Sequence, residues 1–101
     1  MAEIINQGQV SSLGTTIYTG SVGPLSTKIS LLRFYNPLAF VLTLTRYDAT
    51  TVSTETLYEF NLAAGDTITD NTIYALKPGD QLIVYSSIPG TSYYVYGIDY
   101  V

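Results

Sequence analysis

Neither histidine nor cysteine occurs among the 101 residues. Without cysteine there is no disulfide framework and no thiolate chemistry. The Ser–His–Asp and Cys–His nucleophile systems are excluded with them, as is zinc held by nitrogen or sulfur ligands. A glycine-rich phosphate loop is missing too, since Gly65 and Gly79 each stand alone. Charge is scarce. Asp, Glu, Lys and Arg make up 12% of the chain, about half the usual share. The cations Lys28, Arg33, Arg46 and Lys77 are scattered, and against eight acids they leave a net charge of −4. They form no stripe that could track phosphates, so no nucleic acid partner is expected. No segment approaches the ~20 apolar residues that span a bilayer. The start, Met1-Ala2-Glu3-Ile4-Ile5-Asn6, lacks the basic residues and long apolar stretch of a signal peptide. A protein made and used in solution is expected, with no membrane partner and no cofactor.

Apolar residues make up 47% of the chain, ordinary for a globular protein, and the length suits one domain. A domain of this size buries roughly two-thirds of its unfolded surface, enough for a core without a metal or disulfide. Charge normally keeps a free-standing surface soluble. Its shortage points to a surface covered in part by neighbours. The alternative is a neutral surface of Thr, Ser and Asn, which the chain also has.

Residues 1–14 are polar and rich in Gly, Gln and Ser. They read as an extended N-terminal arm with at most one short strand, at Glu3–Asn6, and little to bury alone. Such an arm is either a mobile tail or is ordered against a neighbour. From Thr15 to the end, β-branched and aromatic residues dominate and turn signals recur. The pattern predicts strands over Thr15–Thr19, Thr27–Tyr35, Ala39–Tyr47, Thr54–Leu62, Thr67–Leu76, Gln81–Ser86 and Ser92–Tyr100. Phe40, Leu42 and Leu44 share one face of their strand, and Val41, Thr43 and Thr45 the other. Tyr58, Phe60 and Leu62 are set against Glu59 and Asn61 in the same way. No window holds a helical period.

The breaks have mechanisms. Gly23-Pro24 and Asn36-Pro37 stop a ladder, because proline donates no N–H and restricts the residue before it. Pro78-Gly79 and Pro89-Gly90 suit the central positions of a type II turn. Leu62-Ala63-Ala64-Gly65-Asp66-Thr67-Ile68 is echoed fourteen residues later by Leu76-Lys77-Pro78-Gly79-Asp80-Gln81-Leu82. Glycine takes each turn and Asp66 or Asp80 is expected to bond nearby backbone N–H groups. Two copies are too few for a solenoid. The fold expected is all-β: a single β-sandwich of seven or eight short antiparallel strands over residues 15–101, Ig-like or jelly-roll in topology.

Candidate chemistry is thin. Glu55 and Glu59 are four apart on a predicted strand. A regular strand would set them on one face about 13 Å apart, beyond the ~5–9.5 Å of glycosidase pairs. Solvated acids are the better account. Asp66, Asp70 and Asn71 could offer oxygen ligands to calcium, but the loop spacing is wrong, and turn capping explains them. No metal site and no catalytic residue is expected. The loudest signal is tyrosine, ten in all. Tyr93, Tyr94, Tyr96 and Tyr100 cluster near the end. Alternation puts Tyr94, Tyr96 and Tyr100 on one face with Ile98, and Tyr93 on the other with Val95. These rings rim the core, form a subunit contact, or stack on carbohydrate.

Five segments together resemble the small β-sandwich virion proteins of tailed bacteriophages. They are Ile29–Pro37, Phe40–Thr45, Leu57–Asp66, Leu76–Val84 and Tyr94–Asp99. The likeness covers roughly residues 15–100 and rests on strand order and the paired Gly-Asp turns. Members sit on capsids as decoration (cement) proteins, or in the neck and tail. The resemblance implies a virion structural protein, assembled in the host cytoplasm, with the major capsid protein or other virion proteins as partners. It lends no catalytic residues. The short chain favours capsid decoration, bridging capsid subunits. A homo-oligomer is expected, a trimer being one form. The alternatives are a neck or tail component and a carbohydrate-binding module using the C-terminal tyrosines.

Overall fold

The computed structural model describes residues 2–11, 14–19 and 26–100, with the side chains of 5–11, 14–19 and 27–98. The Gly23-Pro24 break lies outside the described residues. Among the described residues nine strands follow one another: β1 Ala2–Val10, β2 Thr15–Thr19, β3 Ser26–Tyr35, β4 Phe40–Asp48, β5 Ser53–Leu62, β6 Thr67–Asp70, β7 Tyr74–Leu76, β8 Gln81–Ser86 and β9 Thr91–Tyr100. All their pairings are antiparallel. The first sheet has the order β1-β9-β3-β6, with β7 also on β3, and the second β2-β8-β4-β5. From β1 to β4 the chain crosses between the sheets at every step. At the end β8 slots between β2 and β4, and β9 between β1 and β3. With β6 and β7 counted as one interrupted edge strand, this is the eight-stranded jelly roll, not the Ig-like order.

The core lies between the sheets, and period 2 selects its residues. Ile29, Leu32, Phe34 and Val95 fill it from the first sheet and Ile17, Phe40, Leu42, Leu44, Leu82 and Val84 from the second, each at most 3% exposed. Burial of each such side chain is worth roughly 1.5–3 kcal/mol.

Three expectations change. The segment read as an arm is a strand over Ala2–Val10, longer than Glu3–Asn6, and it pairs with β9 of the same chain. Its Gln7, Gly8 and Gln9 are exposed. An edge strand needs only one paired side and one covered face, which polar residues allow. Thr67–Leu76 is not continuous. β3 bulges between Ile29 and Leu31, and the edge strand opposite breaks over residues 71–73. Asp70 takes the break, its Oδ1 accepting from the Thr72 N–H at 2.9 Å and its Oδ2 from the Tyr74 hydroxyl. Lastly, Glu55 and Glu59 do not share a face. The register shifts between Leu44 and Thr45, which sets Glu59 beside Thr43 and Glu55 beside Arg46. Thr43 and Arg46 face opposite ways on β4, whose pairing with β8 is regular.

Buried polar groups tie the two poles of the sandwich. At one pole Asn36, 1% exposed, donates through Nδ2 to the Pro89 carbonyl and to Thr91 Oγ1, both at 3.0 Å, and accepts the Leu38 N–H at 2.9 Å. Ser86 spends its one proton on the Ile88 carbonyl at 2.9 Å. Thr91 therefore donates to Ser86, 2.7 Å away. This chain of bonds links β9 of the first sheet to β8 of the second. At the opposite pole the buried Asp80 accepts from the Ala49 N–H at 3.0 Å, the Lys77 N–H at 3.2 Å and Arg46 at 3.0 Å.

Candidate interaction face

The sequence singled out the C-terminal tyrosines and the Gly-Asp turns. The tyrosines lie on β9, which is flanked by β1 and β3 and so has no free edge. They can meet a partner only through a sheet face. Tyr93 pairs in register with Phe34 and packs against the core. It sits at the rim of the core and also lines the groove described below. Tyr94 and Tyr96 are half-buried and face the other way, on the outside of the first sheet. The side chain of Tyr100 lies outside the described ones.

Cross-strand register builds a surface around Tyr94. Gln7 and Arg33 are its neighbours on β1 and β3. In the next row Gln9, Ser92 and Tyr35 stand side by side, and in the previous one Ile5, Tyr96 and Leu31. Between Gln7, Gln9, Arg33, Tyr35, Ser92 and Tyr94 runs an open groove of about 550 Å³. Ser92 Oγ donates to the Tyr35 carbonyl at 3.3 Å, a long bond that leaves its lone pairs exposed. Two of the outer rings are prominent: Tyr35 is 40% exposed here, and Tyr85 37% exposed on the second sheet. Arg33, Gln7 and Tyr35 were not singled out from the sequence. The alternation Leu32-Arg33-Phe34-Tyr35 does place Arg33 and Tyr35 outward together. What it cannot supply is the neighbouring strand.

The turn residues behave unequally. Gly65 and Gly79 both adopt positive φ, 79° and 86°. In each turn the following Asp N–H bonds back three residues, Asp66 to Ala63 at 3.2 Å and Asp80 to Lys77 at 3.0 Å. Pro78 and Gly79 thus hold the central positions of a turn from Lys77 to Asp80, as expected. The carboxylates differ. Asp66 is exposed and makes no side-chain bond among the described residues. Asp80 is fully buried. Burial pushes its pKa up, but the Ala49 N–H, the Arg46 guanidinium and the Lys77 N–H together outweigh that and hold it below the ordinary value. The same contest at Asp70, burial against the Tyr74 hydroxyl and Thr72 N–H, also ends below the ordinary value. Both oxygens of Asp70 are therefore engaged in the turn. Among the described residues no three acids gather as metal ligands.

The remaining feature is the sheet edges. Among the described residues β1 and β5 are unpaired along their outer sides, over nine and ten residues. Neither contains Pro or Lys. These are the residues that commonly blunt an edge against pairing.

No protein-family model matches the chain, and no curated protein matches it either. Among solved structures it is similar to a chain of the disulfide-linked pili that form Bacillus endospore appendages, with 11% identity and a TM-score of 0.63, over 99% of this chain and 85% of that one. At that identity the likeness concerns the fold, an all-β sandwich.

Proposed function

We propose that the protein is a virion structural subunit, a decoration protein that stabilises a phage capsid by bridging its subunits. The observation that carries the reading is the pair of long edge strands whose outer sides are unpaired among the described residues. Ala2–Val10 and Ser53–Leu62 flank opposite sides of the jelly roll, their outer backbone groups unpaired among the described residues and their only charges Glu3, Glu55 and Glu59. A free-standing sandwich guards such edges, whereas a subunit built among neighbours has use for them. The low overall charge, 12%, supports the same reading, as does the resemblance to phage virion proteins. The role is mechanical. Binding only the assembled shell stabilises it by mass action, and repetition over the shell multiplies weak contacts. Sedimentation of purified protein with and without empty capsids tests the proposal. Co-sedimentation at micromolar concentration is expected, and its absence overturns the proposal.

A second reading, a subunit of a filament, is favoured by the likeness to the spore-appendage pili. With no cysteine, any such filament would be held by non-covalent contacts. Negative-stain microscopy of the purified protein separates the two: filaments without capsids support the second reading, and dispersed particles reject it.

A further inference from the structure

The groove on the outside of the first sheet differs in kind from the edges. Among the described residues Arg33 makes no side-chain hydrogen bond or ion pair, whereas Arg46 pairs with Asp80 at 3.0 Å and Lys77 with Asp48 at 3.3 Å. An uncommitted guanidinium in a chain of net charge −4 is a ready receptor for a carboxylate, whose two oxygens match its fork. Around it stand two tyrosine rings, Tyr94 and Tyr35, and three neutral polar side chains, Gln7, Gln9 and Ser92. Each amide both donates and accepts, and neither is engaged with another described residue.

We infer that this groove binds an acidic oligosaccharide, a short run of sugars bearing a carboxylate. The carboxylate sits on Arg33. Ring C–H faces lie against Tyr94 and Tyr35, which offer a flat apolar surface with a hydroxyl at its rim. Sugar hydroxyls exchange hydrogen bonds with Gln7, Gln9 and Ser92. Any partner that covers these amides must pair them, because leaving them buried and unpaired is costly. A polyhydroxylated ligand satisfies each of them. The volume, about 550 Å³, lies within the roughly 300–1,000 Å³ of small-ligand sites. The platform is also rigid. β9 is paired on both sides, with β1 and β3, so the backbone positions of the three strands that carry these side chains are set before the ligand arrives. This inference stands apart from the assembly role, since it uses a sheet face and not the edges.

Amide NMR titration of the whole chain tests it, with trigalacturonate and sialyllactose as acidic probes, maltotriose as a neutral sugar and acetate as a bare carboxylate. Shifts confined to residues 7–9, 33–35 and 92–94 are expected, with at least one acidic sugar bound about tenfold or more tightly than maltotriose and acetate. Arg33→Gln should bring that sugar down to the level of maltotriose while the circular dichroism spectrum stays unchanged. Tyr94→Ala should weaken both. Acidic sugars that bind no better than acetate overturn the inference, as do shifts centred elsewhere or an Arg33→Gln protein that binds normally. Broadening of the same amides by raising the protein concentration alone, with no sugar effect, also overturns it and makes the face a contact between copies.

Discussion

Replacing Asn36 with alanine should weaken the whole fold, because this side chain holds one pole of the sandwich together. It is 1% exposed and makes three hydrogen bonds, with Pro89, Thr91 and Leu38, all at 2.9–3.0 Å. Each such bond contributes about 1 kcal/mol net, and a buried partner left unsatisfied costs about 1–3 kcal/mol. Thr91 is buried and cannot turn to water, and it also donates to Ser86. The expected loss is therefore about 3 kcal/mol or more, a large part of the ~5–15 kcal/mol that holds a domain. At ~4–8 °C per kcal/mol for a chain of this size, the midpoint should fall by roughly 12–24 °C. Urea unfolding followed by circular dichroism gives the number, with an unchanged slope showing that the unfolded state is not involved. Thr91→Val and the double variant complete a cycle. A coupling above ~0.5 kcal/mol is expected between residues in one network. A loss below ~1 kcal/mol for Asn36→Ala, or strict additivity with Thr91→Val, would refute the reasoning.

Further outcomes follow from the same geometry. Gly97→Ala should destabilise by about 1–3 kcal/mol, since a Cβ would lie 2.5 Å from the Lys28 carbonyl and 2.8 Å from Ile29 Cδ1; a variant as stable as the parent in urea would show that β3 can yield. Tyr93→Ala should cost about 2–3 kcal/mol and Tyr94→Ala no more than ~0.5 kcal/mol, because one ring packs on the core and the other faces out; equal costs would mean that both rings face the same way. Asp80 and Asp70 have folded pKa values below the ordinary 3.8. Their stabilisation is complete above that value and is lost as the pH falls below it through the folded values. Asp80→Asn should lower stability at pH 7 by about 2 kcal/mol, less than for a fully buried pair because the Arg46 side chain is 29% exposed. It should also flatten the acid limb of stability against pH. A parent-like slope below pH 4 would assign the acid sensitivity to other groups.

Legibility differed from element to element for a physical reason. Alternation along β4 is local to one strand, so Phe40, Leu42 and Leu44 could be placed on one face from spacing alone, and that face meets the core. The opposite facing of Tyr93 and Tyr94 could be read in the same way. A bulge is not local. The shift between Leu44 and Thr45 exists only in the pairing of β4 with β5, so the relative facing of Glu55 and Glu59 was out of reach. The Gly-Asp echo shows the same limit. Both turns share a backbone shape, yet only Asp80 is enclosed, because only its turn lies beneath Arg46 and Ala49.

By itself the sequence determined the class of the fold, most strand positions, which residues share a side of each regular strand, and the lack of His and Cys. All of these depend on residue type and near-neighbour spacing. The tertiary structure decided what depends on contact between distant segments. It turned a polar N-terminal stretch into the edge strand β1, chose the jelly roll, and split the Thr67–Leu76 strand opposite the bulge in β3. It also brought Gln7, Arg33 and Tyr94 into one row from three strands. Hydrogen-bonded register is a relation between strands, and no spacing within one strand encodes it.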